Sequence, residues 1–192
     1  MRPTWTRRRW LAFTGLIAMA SAVRCDAVQG VLDPHNTISI GAATARFGER
    51  VTKAAEADKP TLLFLESLEE VNPTTNYHRV SLLLVNPLDV PITYHGYRMD
   101  GWDKRPPTGE ISPFYTTELR EKPNEAWKPN SLGWCGTGAG QMTIPPNQAG
   151  RFEAVFYHPA TAGRIGVNYR TPNQDERSFT TVWSQEIKLD AK

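Results

Sequence analysis

The residues best placed to do chemistry begin with the stretch Ser131 to Met142, SLGWCGTGAGQM, where Cys135 stands between a tryptophan and a run of glycines. A phosphate cradle would need Gly-x-x-x-x-Gly-Lys-Ser/Thr leading into a helix, with the lysine on the phosphates and the hydroxyl on magnesium. Here the glycines lead instead to Gln141-Met142 and the double proline Pro145-Pro146. A nucleophilic cysteine needs a neighbouring base and a lowered pKa. His35, His78, His95 and His158 lie in or beside expected strands or in the N-terminal arm, and no local motif pairs any of them with Cys135. A copper-type site on a β-sandwich sets a histidine a few residues after the cysteine, with a methionine just beyond. In this chain no histidine lies between Cys135 and His158. Glu118, Glu121 and Glu125 cluster, yet nothing fixes two of them at the separation that paired-carboxylate hydrolysis requires. The expectation is therefore no catalytic residue, no cofactor and no metal, with a copper-type carrier as the remote alternative. Gly133, Gly136, Gly138 and Gly140 would permit positive φ or close backbone approach while Trp134 and Cys135 fill the core.

Aromatic residues carry more information. Tyr94, Tyr97, Trp102, Phe114, Tyr115, Trp127 and Trp134 are concentrated in one part of the chain, several of them in the irregular, proline-rich piece 99–131. Rings on a stiffened loop offer contact area at low entropic cost. Trp102, Tyr115 and Trp127 are therefore the candidate binding surface, for a protein or carbohydrate partner, and packing of the loop onto a sheet is the competing role.

Such residues must be positioned by strands. The chain has 15 prolines and 14 glycines, which punctuate short apolar runs instead of long helical ones. The expected strands are 61–68, 78–86, 90–98, 113–119, 150–158, 163–170 and 178–189. Phe152, Ala154 and Phe156 point to one side and Arg151, Glu153 and Val155 to the other, the period of a half-buried strand. Asn86-Pro87-Leu88-Asp89 and Pro145-Pro146-Asn147-Gln148 read as turns. Together these predict an all-β, immunoglobulin-like antiparallel β-sandwich over 61–192 with a long irregular loop. Residues 28–60 form an N-terminal arm or short helix, since Ala43, Phe47, Val51 and Ala54 recur at helical spacing and Pro60 would end the run.

Residues 1–27 read as an export signal: Arg2, Arg7, Arg8 and Arg9 precede an apolar stretch from Trp10 to Ala20, then small residues. The apolar run falls short of the roughly 20 residues of a spanning helix, so no membrane span is expected after cleavage. Cleavage sites after Ala22 and after Ala27 compete; only the first retains Cys25 for a bridge to Cys135. Arg7-Arg8 also suits twin-arginine export, leaving that route and the general one both open. The mature chain is expected in the periplasm or outside the cell. The whole chain has 22 basic and 20 acidic residues, and removing 1–27 leaves 17 and 19. The mature protein is thus mildly acidic, which argues against nucleic acid as a partner.

Two resemblances follow from these residues. The box GWCGTG (133–138), with VNPLDVPITYHGY before it and GRIGVNYR and VWS after it, resembles an uncharacterised group of exported bacterial proteins with a β-sandwich body. The likeness covers most of 75–187 and implies a fold without an activity. Asn72, Pro73, Thr74 and Thr75 resemble the first loop of chagasin-type inhibitors of papain-like cysteine peptidases, which are small immunoglobulin-like proteins with three adjacent loops. The glycines around Gly138 and the Arg170-Thr171-Pro172 stretch are similar to the other two loops, although Asn76 stands where that family has glycine. This resemblance implies a peptidase inhibitor as the alternative function.

Overall fold

The computed structural model describes residues 37–68, 77–97, 109–130, 139–157 and 160–189. The chain there opens with a short strand, β1 (Ile38–Ser39), and two helices, α1 (Ile40–Phe47) and α2 (Glu49–Ala55). Next come β2 (Thr61–Leu68), β3 (Tyr77–Asn86), β4 (Ile92–Tyr97), β5 (Tyr115–Arg120) and β6 (Lys128–Pro129). The remaining strands are β7 (Ala139–Ile144), β8 (Gln148–Tyr157), β9 (Ala162–Arg170), β10 (Thr180–Trp183) and β11 (Ile187–Lys188). They form two sheets, β1-β8-β3-β2 and β6-β5-β9-β4-β7, with β10 and β11 both added to β9. Every ladder between named strands is antiparallel. The fold is an all-β sandwich whose sheets do not close into a barrel.

Alternation explains the layers. On β3, Val80, Leu82 and Leu84 point into the inter-sheet core, where they meet Phe152 and Phe156 of β8 and Ile165 and Val167 of β9. Leu83 and Val85 point the other way and are buried beneath Ala43, Val51 and Ala54 of the helices. β3 therefore reads as an almost continuous apolar run because both of its faces are covered. Ser81 also faces outward and stays buried, accepting a hydrogen bond from Arg151 Nε (3.0 Å).

The helical period of Ala43, Phe47, Val51 and Ala54 is present, but the element is broken in two. Ser39 caps α1 by accepting from Ala42 N–H (3.2 Å). Gly48 then adopts φ 78°, a left-handed value that suits glycine, and ends the first helix before α2 restarts. α2 stops at Ala55, ahead of Pro60.

Two other departures from the sequence reading matter for the site. The segment 139–144, absent from the expected strands, is strand β7: it pairs Ile92 with Ile144 through Tyr97 with Ala139. The run expected as one strand over 178–189 is split into β10 and β11 at Ser184, whose Oγ accepts from Ile165 N–H (3.0 Å) in place of a ladder bond. The sheets are also tied by residues 109–114. Arg151 N–H donates to Gly109 O (2.8 Å) and Ile111 N–H to Arg151 O (2.7 Å). Tyr97 N–H donates to Ser112 O (2.9 Å) and Phe114 N–H to His95 O (2.7 Å). A Cβ on Gly96 would lie 2.3 Å from the Ser112 carbonyl oxygen, so glycine is what permits this crossing.

Tyr94 of β4 is 3% exposed in the core, and burial pushes its phenol pKa above the usual value. Its neutral form is therefore favoured by folding. That stability is fully present below the unfolded value near 10 and is lost as the pH climbs towards the folded one. Urea unfolding should show stability falling above about pH 10, and Tyr94→Phe should flatten that decline by up to about 1.4 kcal/mol per pH unit. An unchanged slope would show that Tyr94 does not cause it.

Candidate functional site

Strand β9 is the axis of the site. Ile165, Val167 and Tyr169 enter the core, which leaves Arg164, Gly166, Asn168 and Arg170 on the opposite face. The register of β5 sets Glu118 opposite Arg164 and Thr116 opposite Gly166. On the other side β10 sets Trp183 opposite Gly166 and Thr181 opposite Asn168. This outer face is the counterpart of the one that the helices cover on the first sheet.

Cationic and aromatic groups alternate across it. Arg164 Nε donates to Glu118 Oε2 at 2.7 Å, and its guanidinium lies 4.7 Å from the Trp127 ring centre and 4.4 Å from that of Trp183. Arg120 lies 4.6 Å from the Trp127 ring centre and is ion-paired with Glu186. The result is a ladder in the order Arg120, Trp127, Arg164, Trp183. Each rung contributes about 0.5–1 kcal/mol at a partly exposed site. Trp183 lies against the strand because Gly166 has no side chain: a Cβ there would be 2.8 Å from the indole.

Beside the ladder is a cleft of about 350 Å³. His95, Phe114, Thr116, Asn168 and Phe179 line it, with Gly166 as part of its floor. His95 and Phe179 meet edge to face with ring centres 5.2 Å apart. Asn168 Oδ1 accepts from Thr181 Oγ1 at 2.7 Å, and the Arg170 guanidinium lies 5.8 Å from the Phe179 ring centre.

Of the expected surface residues, Trp127 is half-buried within the ladder, and Trp102 lies outside the described residues. Tyr115 departs from expectation. It is the first residue of β5, its ring packs against the core with Phe152 at 6.2 Å, and its hydroxyl accepts from Val155 N–H at 3.0 Å. Burial raises its pKa, and the bond from Val155 opposes that shift. It contributes to the edge of the cleft while serving mainly as packing. Among the residues of the inhibitor-like loops, Arg170 ends β9 opposite Thr93. Asn72, Pro73, Thr74, Thr75 and Gly138 lie outside the described residues, as do Cys25, Trp134, Cys135 and the export segment 1–27. His78 is on β3 and His95 on β4, in different sheets. Among the described residues no three of His, Cys, Asp and Glu gather where they could hold a metal ion.

Arg164, Trp183 and Phe179 are not singled out in the sequence reading, and His95 enters it only as a histidine that no local motif pairs with Cys135. A signal existed for one of them: along 163–170 the polar residues fall on alternate positions opposite Ile165, Val167 and Tyr169, which marks Arg164 as outward-facing. The pairing of Trp183 and Trp127 around it depends on strand order, which alternation does not reveal.

Fold and face together define a two-sheet antiparallel β-sandwich with one outer face under helices and the other bearing a row of rings and guanidinium groups. No family model matches the chain, and no curated protein does. Among solved structures, the X-ray structure of Northeast Structural Genomics Consortium target SoR45 is similar over 68% of this chain and 83% of its own, at 10% sequence identity and a TM-score of 0.32. That likeness is too distant to transfer a function or a site.

Proposed function

We propose that the chain is an exported, non-catalytic binding module that engages a protein partner through the outer face of the second sheet. The observation that carries this reading is the asymmetry of the sandwich. The first sheet hides its outer apolar residues beneath α1 and α2, whereas the second leaves Trp127, Trp183 and Phe179 only half-buried among arginines. Tryptophan and arginine dominate the energetics of protein interfaces. A carbohydrate would instead need open ring faces for stacking, and guanidinium groups already lie over both Trp127 and Trp183. Export rests on the arginines and apolar run of residues 1–27.

Site-directed photo-crosslinking tests this. A benzophenone amino acid at Thr116 or Thr181 on the ring-bearing face should capture a discrete partner in the cells that make the protein, and one at Lys53 on α2 should not. Capture should be lost on Trp183→Ala with the melting temperature lowered by no more than a few degrees. Equal capture from both faces would refute the reading, and glycan-array binding that Trp183→Ala removes would assign the face to carbohydrate.

A further inference from the structure

The edges of the two sheets are unequally guarded. β2 has eight residues, but its register shifts between Phe64 and Glu66. Arg50 also reaches over from α2 and donates to Phe64 O (2.9 Å) and Leu65 O (3.4 Å). β1, β6 and β11 have two residues each, and β6 includes Pro129. β10 has four and runs into the bridge that joins Ser184 to Leu62 of β2. Bulges, prolines, charges and short length are the usual means of blocking a sheet edge.

β7 has six residues, AGQMTI, with no proline, charge or bulge. Which of its backbone groups are open follows from β4. His95 O and Tyr97 N–H are bonded to Phe114 and Ser112 on the side away from β7. The groups of Ile92, Tyr94 and Gly96 are then the ones that meet β7, at Ile144, Met142 and Gly140. The N–H and C=O groups of Ala139, Gln141 and Thr143 point outward, and none has a partner among the described residues. Ala139 and Gln141 are exposed.

A charge stands beside this row. Arg170 reaches across from β9 and donates from Nη2 to Gln141 Oε1 at 3.1 Å. No carboxylate among the described residues lies within ion-pair distance of it. We propose that β7 is a docking edge that receives an extended segment of a partner protein, antiparallel to β7, with an acidic side chain opposite Gln141. The backbone of that segment would exchange hydrogen bonds with Ala139, Gln141 and Thr143, as in strand addition to other sheet edges. Its carboxylate would take the place beside Arg170 that the Gln141 amide now fills. A second copy of this chain fits poorly: two β7 strands paired about Gln141 would bring two Arg170 groups to one spot. This inference goes beyond the ring-bearing face and holds for the edge whether or not that face binds anything.

The test pans a phage-displayed library of random nine-residue peptides on the full chain. Selected peptides should carry an acidic residue flanked by β-branched or apolar residues at alternate positions. Synthesised, they should bind Gln141→Pro about tenfold or more weakly, since proline removes an outward N–H while the bonds to β4 remain. They should bind Trp183→Ala unchanged, which separates this edge from the ring-bearing face. Arg170→Glu should turn the selection to basic peptides, a readout that stands even if the proline variant folds poorly. The proposal fails if no peptide is recovered, if selected peptides show no acidic preference, or if Gln141→Pro folds and binds as tightly as the parent. A concentration-dependent dimer that Gln141→Pro abolishes would also overturn it, because the occupant would then be a second copy.

Discussion

Replacing Phe156 by alanine should lower stability by about 3–5 kcal/mol, the range for truncating a buried phenylalanine. In a domain of this size the melting temperature should drop by roughly 10 °C or more. Phe156 heads the fully buried side chains by volume and lies between the two sheets. Its ring packs over β9 at Gly163, where a Cβ would come within 2.5 Å of Cε1. The backbone of one sheet thus touches a ring of the other, and removing the ring leaves a gap that strands tied by full ladders collapse into poorly. Gly163→Ala tests the same contact from the opposite side. It should cost about 1–3 kcal/mol because the added methyl overpacks the ring. A melting temperature within two or three degrees of the parent for Phe156→Ala would show that the contact does not hold the sheets together.

Asn86→Ala should cost about 3–4 kcal/mol, because it leaves buried polar groups without partners at about 1–3 kcal/mol each. Asn86 closes β3 at 0% exposure. Its Nδ2 donates towards Val90 O (2.9 Å), Ile144 O (3.2 Å) and Pro145 O (3.0 Å), while Oδ1 accepts from Leu88 N–H (3.2 Å). One side chain therefore shapes the β3–β4 turn and fastens it to the β7–β8 turn, which belongs to both sheets. Asn86→Asp keeps the shape and replaces a donor by a carboxylate aimed at three carbonyl oxygens. Burial and those oxygens both disfavour the ion, so the carboxyl pKa in the folded state must rise above its unfolded value. Stability of that variant should then be greatest below about pH 4 and decline as the pH rises, the reverse of the usual dependence for a paired carboxylate. Denaturant melts at pH 3.5 and 7 decide it: a variant more stable at pH 7 than at pH 3.5, relative to the parent, contradicts the geometry.

Much of the sandwich was legible because its strands alternate. β8 shows the pattern most plainly, with Phe152, Ala154 and Phe156 buried and Glu153 exposed. Even the doubly covered β3 was recognisable as a run of apolar residues. β7 was hidden by its composition, since Ala139 and Gly140 carry no strand signal and the glycines before them suggested a loop. What makes it a strand is non-local: Tyr94 and Ile92 of β4 provide the partners, and Met142 and Ile144 anchor it to the core. The break at Gly48 was missed for the opposite reason, because apolar spacing continues across it while the backbone does not. The site was visible only in fragments. Trp127 stood out as an aromatic residue in a proline-rich stretch, but its neighbours arrive from β5 and β9. Tyr115 lies in the expected strand 113–119, and what its residue type does not reveal is that β5 turns the ring inward against Phe152.

The order in which strands enter the sheets also governs when this chain can fold. β9 is the shared partner of β4, β5, β10 and β11, so the second sheet has no centre until that late segment exists. The first sheet waits almost as long, because β3 cannot meet β8 until the chain between Asn86 and Gln148 has closed on itself. Such remote pairings make folding slow, on the order of milliseconds to seconds. During synthesis the β2–β3 pair can form early and the β4–β7 and β3–β8 pairs only once β7 and β8 follow, while the second sheet is joined together only when β9 arrives. A nascent chain halted just before Ala162 should therefore stay protease-sensitive in its β4, β5 and β7 segments, whereas one released with β9 and β11 present should become resistant throughout.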